Sequence, residues 1–416
     1  MPLEMMRLLR APVQYKFWKP LHLKLVFKDL FGSVHDSRCA AEQHLDAALA
    51  WIGRAQDHCL KNEGQGGIAA GWNFEDGWLP GYPETSGYLI ETLITAGTCL
   101  DRKPLLESAQ RIIDWELAIQ LKDGSFPGHF GEPGSRPVIF NTGQIMHGMA
   151  AGYLHFGREE CLQAGVRAGQ WLVEKQDSDG CWRTNVHNNI PHTYNTRTAW
   201  ALLRIGQLAD DRVLKKAAVD NLEWALTQQT SRGWFAGNGF TRKGAPYTHT
   251  IAYALRGLLE SGFALQDERF IEPAFEGAKS LSRLISPQGF LSGTFADGWI
   301  PEAGYCCLTG LAQIAIIWKR LQQAYRVEDF TKPVQAALIY LKSSQALEAQ
   351  AEQIRGGLPG SRPIWGAYSR FEFPNWALKF FIDLLLMEQF GVVIPELSEP
   401  LKPKGSTEEN HCERIQ

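Results

Sequence analysis

No stretch of this chain approaches the ~18 consecutive apolar residues that a membrane-spanning helix needs, so no transmembrane segment is expected. Nor is there an excess of positive charge. The 42 Lys and Arg face 45 Asp and Glu, giving a net charge of −3 and a pI of about 6.4. A nucleic-acid footprint favours a pI above ~9, so no nucleic-acid partner is expected. The eight Cys contain no CxxC, and only Cys306 and Cys307 are adjacent. Zinc-ribbon and thioredoxin-type motifs are therefore missing, and buried free thiols in a reducing cytoplasm are the expectation. HExxH, GxSxG and a GxGxxG in strand–helix context are also missing, and Gly64-Gln-Gly-Gly lacks the Lys-Ser/Thr of a P-loop. No metal or cofactor is expected.

The N-terminal stretch from Met1 to Lys19 mixes Arg10, Gln14, Lys16 and Lys19 among apolar residues. It has neither a clean apolar core nor a small-residue cleavage site, so it does not read as a signal peptide. A capping helix is the preferred reading, with an amphipathic surface segment as the alternative.

Present in quantity are apolar residues, 44% of 416, together with 40 Gly and 14 Trp. The chain can bury a large core. Helix-period apolar patterns recur at residues 47–59, 106–121, 161–175, 214–228 and 270–285, and no run alternates like a strand. One unit repeats: a helix ending in Trp and Gln, a Gly-aromatic turn, a loop and a second apolar helix. It is written Trp115-ELAIQLKDGSF, Trp171-LVEKQDSDGCW, Trp224-ALTQQTSRGWF and Leu284-ISPQGF, with degenerate copies from Trp51 and from about Leu338. The second helices open near Glu84, Asn141, Asn195, His249, Gly304 and Asn375, several with Thr or Asn suited to N-capping. Six such hairpins, none able to bury both apolar faces alone, close most naturally into a ring. The expected fold is all-α, an (α/α)6 toroid over residues 41–395. Residues 1–40 form an N-terminal arm, and 396–416 a polar tail expected to be disordered.

A finer duplication lies inside the repeat. Asp76-GWLP matches Asp297-GWIP, followed by Glu84-TSGY and Glu302-AGY respectively. Pro133-GSRPVI matches Pro359-GSRPIW. Hairpins one and two thus resemble five and six, and in a ring their loops converge on one side of the mouth.

The segment Arg167-AGQWLVEKQDSDGCW resembles the QW motif of squalene and hopene cyclases. That resemblance implies an α/α toroid over roughly residues 40–390, with Gln176 and Trp182 bracing helix ends. The acidic motifs of that family's chemistry are missing: there is no DxDD, and Asp210-Asp211-Arg-Val-Leu lacks the last Asp of DDxxD. The protein prenyltransferase β subunits are similar around Gly304-YCCLTGL. Ala303 stands where their pattern has the zinc-binding His, so no zinc is implied. The mouth loops also resemble those of toroids acting on carbohydrates, including unsaturated-uronyl hydrolases, epimerases, polysaccharide lyases and exopolysaccharide-cluster proteins.

The candidate chemistry sits in those loops. The Asp76/Glu84 and Asp297/Glu302 pairs could supply the two carboxylates of glycoside hydrolysis, with Glu84 and Glu302 as the catalytic members, or the Glu residues simply favour helix starts. Asp76 and Asp297 could contact substrate or serve the turn. Asn188-NIPHTYNTR puts His192, Tyr194 and Arg197 together. An Arg can neutralise a uronate while Tyr or His removes its C5 proton, and capping is the structural alternative. His249, four residues before Tyr253 on one helix face, is a candidate base or a core histidine. Tyr247 stands beside it. His147 reads as core. Arg136 and Arg362 could grip an anion or brace their loops. Trp78 and Trp299 could stack on sugar rings, whereas Trp182 and Trp234 read as structural.

The catalytic candidates are therefore Glu84, His192, Tyr194, Arg197, His249 and Glu302. The substrate-binding candidates are Asp76, Trp78, Arg136, Tyr247, Asp297, Trp299 and Arg362. The expected function is that of a cytoplasmic carbohydrate-active enzyme of polysaccharide biosynthesis or modification, acting on a glycan that contains uronate, by lyase or epimerase chemistry in preference to hydrolysis. A terpenoid cyclase-like enzyme and a non-catalytic glycan-binding toroid are the alternatives. The partner is a glycan or another small molecule, and the sequence does not indicate an oligomeric state.

Overall fold

The computed structural model describes residues 12–32, 39–132, 134–230, 233–325, 328–347 and 349–393. The tail at 396–416, expected to be disordered, lies outside the described residues. So do residues 1–11 and 33–38 of the expected arm.

The fold is the expected (α/α)6 toroid. Helix α1 (Pro20–Phe31) precedes it. Six outer helices follow: α2 (Ala41–Asn62), α4 (Lys103–Ile119), α6 (Glu159–Lys175), α8 (Arg212–Thr227), α10 (Glu268–Ser282) and α12 (Thr331–Ser344). They alternate with six inner helices: α3 (Pro83–Cys99), α5 (Ile139–Phe156), α7 (Thr196–Leu208), α9 (Thr248–Leu265), α11 (Leu308–Tyr325) and α13 (Asn375–Phe390). Each inner helix packs on the next, and α13 packs back on α3 to close the ring. The two layers follow from patterning. The inner helices are apolar nearly all round and bury almost every residue, whereas the outer ones are amphipathic and bury one stripe. Glycines let the inner helices touch: a Cβ on Gly257 would stand 2.3 Å from the Thr196 carbonyl carbon.

The repeated Gln and Gly brace the outer layer. Gln176 Nε2 donates to the Gly180 and Ala217 carbonyls, each at 2.9 Å, so one side chain ties its own turn to the next outer helix. Gln120 does the same with Gly124 and Ala164. Gln345 bonds Gly356 and His44, joining the last hairpin to the first. Gly180 has φ +85°, and a Cβ there would lie 2.2 Å from the Asp220 carbonyl oxygen, so both conformation and space require glycine. Trp182 Nε1 donates to the Leu172 carbonyl at 2.9 Å.

Two expectations need correction. The inner helices are not capped by their Thr and Asn side chains: none of the N-caps described for α3, α5, α7, α9 and α13 carries a side-chain cap bond. Asp211 and Asp267 cap the outer helices α8 and α10 instead. Short strands also occur in the mouth loops. β1 (Gly71–Asn73) lies between β2 (Gly77–Trp78) and β7 (Glu372–Pro374), while β3 (Phe295–Ala296) pairs with β4 (Ile300–Pro301) and β5 (Cys306–Cys307) with β6 (Ser361–Arg362), all antiparallel. Runs of two or three residues leave no alternation to read.

Candidate active site

Five of the six inner helices present their first turns, or the residues just before them, to one cavity of about 370 Å³. Glu84, Thr85 and Tyr88 come from α3, Phe140 and Asn141 from α5, Tyr194 from the approach to α7, His249, Thr250 and Tyr253 from α9, and Trp376 from α13. Loops add Tyr82, His129, His187, Phe240, Tyr247 and Ala367 to Ser369. Because the helices start here, their unpaired N–H groups and positive dipole ends face the cavity.

Among the described residues, Glu84 is the one carboxylate lining the cavity. The Tyr82 hydroxyl donates to its Oε2 at 2.9 Å. Burial raises its carboxyl to about pH 7, opposed by the Tyr82 hydrogen bond and the Arg197 charge. Near neutrality, Glu84 therefore exists in both protonation states.

His249 is held by Gln313, whose Nε2 donates to the imidazole Nδ1 at 2.8 Å. The ring proton then sits on Nε2. Burial, reinforced by the nearby Arg197 cation, lowers its pKa to about 3, so the ring stays neutral. Its ring lies 4.4 Å from that of Tyr253 and 5.1 Å from that of Tyr368. Phe140 connects Tyr194 and Tyr253 at 5.1 and 4.9 Å, and the Trp376 indole donates to the Tyr368 hydroxyl at 2.8 Å. Burial pushes the phenols of Tyr82, Tyr88, Tyr194, Tyr253 and Tyr368 upward, so all keep their protons.

Beneath the cavity the inner helices carry a buried polar ladder. Arg204 pairs with Glu91 at 2.8 Å, Arg256 and Arg320 share Glu260, and Lys379 pairs with Asp383. Arg197 lies among them. Its Nε donates to the Gln144 amide oxygen at 2.6 Å, and its guanidinium stands 5.2–5.9 Å from the rings of Tyr88, Trp200, Tyr253 and Phe380. Among the described residues no carboxylate comes within ion-pair distance of it. Five cations thus face three carboxylates in the buried portions of the inner helices, a net positive charge under the cavity floor.

Of the thirteen sequence candidates, the structure brings Glu84, Tyr194, Tyr247 and His249 together on the cavity wall. The others lie elsewhere. Arg197 is buried under the floor. His192 is buried behind the wall, its ring stacked 4.4 Å from that of Tyr194 and its Nε2 2.8 Å from the His187 carbonyl oxygen. Glu302, Asp76 and Asp297 are exposed on hairpin loops outside the lining, and Asp76 forms a turn with Asn73. Trp78 packs on Trp51 and His58, and Trp299 is buried edge-on against Trp234 at 5.0 Å. Arg136 is exposed, whereas Arg362 braces the outer layer by donating to Ser343 and Ser344. None of these nine lines the cavity: His192, Arg197, Trp299 and Arg362 are buried in other contacts, and Asp76, Arg136, Asp297 and Glu302 are exposed. Sequence reasoning missed Tyr82, Tyr88, Asn141, Tyr368 and Trp376. Tyr82 stands two residues before Glu84, and Tyr368 follows the second PGSRP copy, so both were within reach of the motifs. Among the described residues no cluster of three His, Cys, Asp or Glu is placed to hold a metal ion.

A family model for the squalene-hopene cyclase C-terminal domain matches residues 70–265, just under half of the chain. No sequence among curated proteins matches significantly. Several solved structures share the fold. The unsaturated glucuronyl hydrolase of Bacillus sp. GL1, described as responsible for glycosaminoglycan degradation, is 14% identical with a TM-score of 0.65, covering 85% of this chain and 98% of its own. An unsaturated glucuronyl hydrolase specific for heparin is 16% identical with a TM-score of 0.66 and the same coverage. Cellobiose 2-epimerase from Bacillus thermoamylovorans is 12% identical with a TM-score of 0.65, covering 82% of this chain and 98% of its own. These likenesses establish the α/α-toroid fold, which the chain shares with both the cyclases and the six-hairpin carbohydrate enzymes.

Proposed function

We propose that the protein is a cytoplasmic enzyme acting on a uronate-containing glycan, by proton abstraction at C5 followed by elimination or epimerisation. The observation that supports this most is the pairing in one cavity of Glu84, poised near pH 7, with neutral His249. The ionised fraction of Glu84 removes the C5 proton and its electron pair moves toward the uronate carboxylate. The His249 Nε2–H and the protonated tyrosines donate hydrogen bonds to the oxygens that gain charge. The buried cations and helix N-termini favour an anionic ring, and the aromatic walls suit sugar stacking. From the common intermediate, loss of the C4 oxygen substituent as its alcohol gives a lyase, and return of a proton to the opposite face gives an epimerase. His249 and Tyr194 then act as proton donors rather than as the bases expected from the sequence.

The likeness in fold to unsaturated glucuronyl hydrolases and a cellobiose 2-epimerase supports a carbohydrate substrate. Canonical two-carboxylate hydrolysis fits less well, because Glu84 lines the cavity alone. The match to the cyclase model favours a second reading, a terpenoid substrate. The Glu, His and tyrosine hydroxyls on the wall argue against it.

The test is incubation of uronate oligosaccharides in deuterated water. Exchange at C5, or ultraviolet absorbance from a C4–C5 double bond, is expected with wild type. Tyr194→Phe and His249→Asn should each reduce it about 10²-fold or more. Glycosidic cleavage without C5 exchange overturns the proposal in favour of hydrolysis, and conversion of a polyprenyl substrate overturns it in favour of the cyclase reading.

A further inference from the structure

Helix α1 has two apolar faces, and the toroid uses only one. His22 stacks on Phe74 with ring centroids 4.0 Å apart, and Asp29 accepts from the Ile364 backbone N–H at 2.7 Å. Leu21, Leu25 and Val26 pack on the core from the same side. The opposite side is bare. Phe27 is 51% exposed, Leu30 54% and Phe31 80%, with Leu23 at 39%. The spacing 23, 27, 30, 31 makes these one helix stripe. Trp18, 63% exposed, lies just before the helix.

Charge distinguishes what this stripe would meet. Lys19, Lys24 and Lys28 are exposed along it. Residues 12–32 carry four Lys against a single acidic residue, Asp29, in a chain whose net charge is −3. An apolar stripe flanked by lysines, on a helix of 12 residues too short to span a bilayer, is the composition of a helix lying in a lipid interface. The lysine stems extend along the apolar boundary and place their ammonium groups at the headgroups. A second copy of this chain would bring the same lysines together, and nothing in the stripe offers them carboxylates.

We propose that α1 docks the protein onto an anionic phospholipid surface through Leu23, Phe27, Leu30 and Phe31, with Lys19 and Lys24 contacting the headgroups. The core-facing side of α1 rests on a segment that leads to the cavity wall. The segment that receives Asp29 at Ile364 continues through Ala367 to Ser369 on the cavity wall. It ends at Phe371, whose ring lies 4.4 Å from that of Tyr15. The docking itself does not depend on the reaction proposed above, and its test reads binding alone.

The full-length protein is to be cosedimented with vesicles of phosphatidylcholine, and of phosphatidylcholine with about 30 mol% phosphatidylglycerol. Partition to the anionic vesicles is expected to exceed that to the neutral ones by about tenfold, and to fall with added salt. Phe27→Ser with Phe31→Ser, and separately Lys19→Glu with Lys24→Glu, should each remove most of that excess. Val213→Ser, at an exposed apolar position on outer helix α8, should not. Both lysines are exposed, so this pair keeps the test readable if the Phe pair fails to fold. Equal partition to both vesicle types, or unchanged binding by the Lys variant, overturns the proposal. A dimer in solution abolished by Phe27→Ser with Phe31→Ser, without vesicle binding, overturns it in favour of self-association.

Discussion

The two copies of the Asp-Gly-Trp hairpin share a turn and diverge immediately after it. In both, a glycine with positive φ closes the turn, Gly77 at +81° as the first residue of β2 and Gly298 at +74° between β3 and β4. In the first copy the hairpin gains a third strand from β7, and eight residues after Asp76 the chain reaches Glu84 in the first turn of α3. In the second copy only five residues separate Asp297 from Glu302, and α11 begins later still, at Leu308. Glu302 is left exposed in the connection, with its backbone N–H donating to the Thr294 carbonyl. A three-residue difference in spacing thus separates a cavity carboxyl from a surface one. Repetition in this fold reports the frame, and where the inner helix begins decides which copy supplies chemistry.

The sharpest way to break that comparison is to neutralise each copy in turn. Glu84→Gln keeps the size and the Tyr82 contact but removes the proton-accepting group. It should lower kcat/KM on a uronate oligosaccharide by about 10²–10⁴-fold. Glu302→Gln should change it by less than about twofold, as expected of a solvated surface group. Equal losses from the two would restore the paired-carboxylate reading.

The tryptophans diverge in the same way, with stability as the readout. Trp299 is buried against Trp234 and Phe295 and sits at φ +68°. Trp78 is only half-buried, on Trp51 and His58. Trp299→Ala should cost about 3–5 kcal/mol in denaturant melts, and Trp78→Ala about 1–3 kcal/mol. A large activity loss in Trp78→Ala with unchanged stability would return that ring to the substrate.

Glu84 also adds a pH term to stability that Gln abolishes. Its folded pKa, about 7, lies above the unfolded carboxyl value near ~4.3. The folded state therefore holds the proton more tightly. The resulting stability is complete below the unfolded pKa and is lost as pH rises through about 7. Allowing for solvent in the cavity, the loss is about 1–2 kcal/mol between pH 4.5 and 8. Melts of Glu84→Gln across that range should be flatter than wild type by that amount.

How much of this was legible follows from the range of the forces involved. Gln176, Gly180 and Trp182 act within one turn and on the next hairpin, so their repetition carried the toroid and its order. His249 and Glu84 were legible because helix starts fall at the mouth. The displacement of Arg197 was not, because a one-residue change of helix phase moves a side chain from the wall to the core, nor was that of His192, which lies in the extended approach to α7 and is set by its contacts with His187 and Tyr194. Arg197 lies among four aromatic rings, three of which (Tyr88, Tyr253 and Phe380) come from distant segments, an environment that no local pattern announces. Tyr368 and Trp376 reach the cavity only because α13 closes on α3 across most of the chain length.

The two PGSRP copies carry the smallest test of the comparison. Arg362 is buried, with its guanidinium 5.2 Å from the Tyr340 ring and donating to the Ser343 hydroxyl at 2.7 Å and to that of Ser344 at 3.2 Å. Arg136 is exposed, and the described contact of its residue with the fold is its carbonyl beside Gly128, where a Cβ would stand 2.4 Å away. Truncating Arg362 to Ala removes two hydrogen bonds and a cation–π contact and leaves the Ser343 and Ser344 hydroxyls only their bonds to the Tyr340 carbonyl. A loss of about 1–2 kcal/mol is expected, partly restored by Arg362→Lys because the planar fork is not matched. Arg136→Ala should stay within about 0.5 kcal/mol. If Arg136→Ala instead raised KM for an anionic glycan with unchanged stability, this loop would gain a substrate contact. The two copies would then differ by dividing labour between binding and bracing, rather than by the loss of a role in one of them.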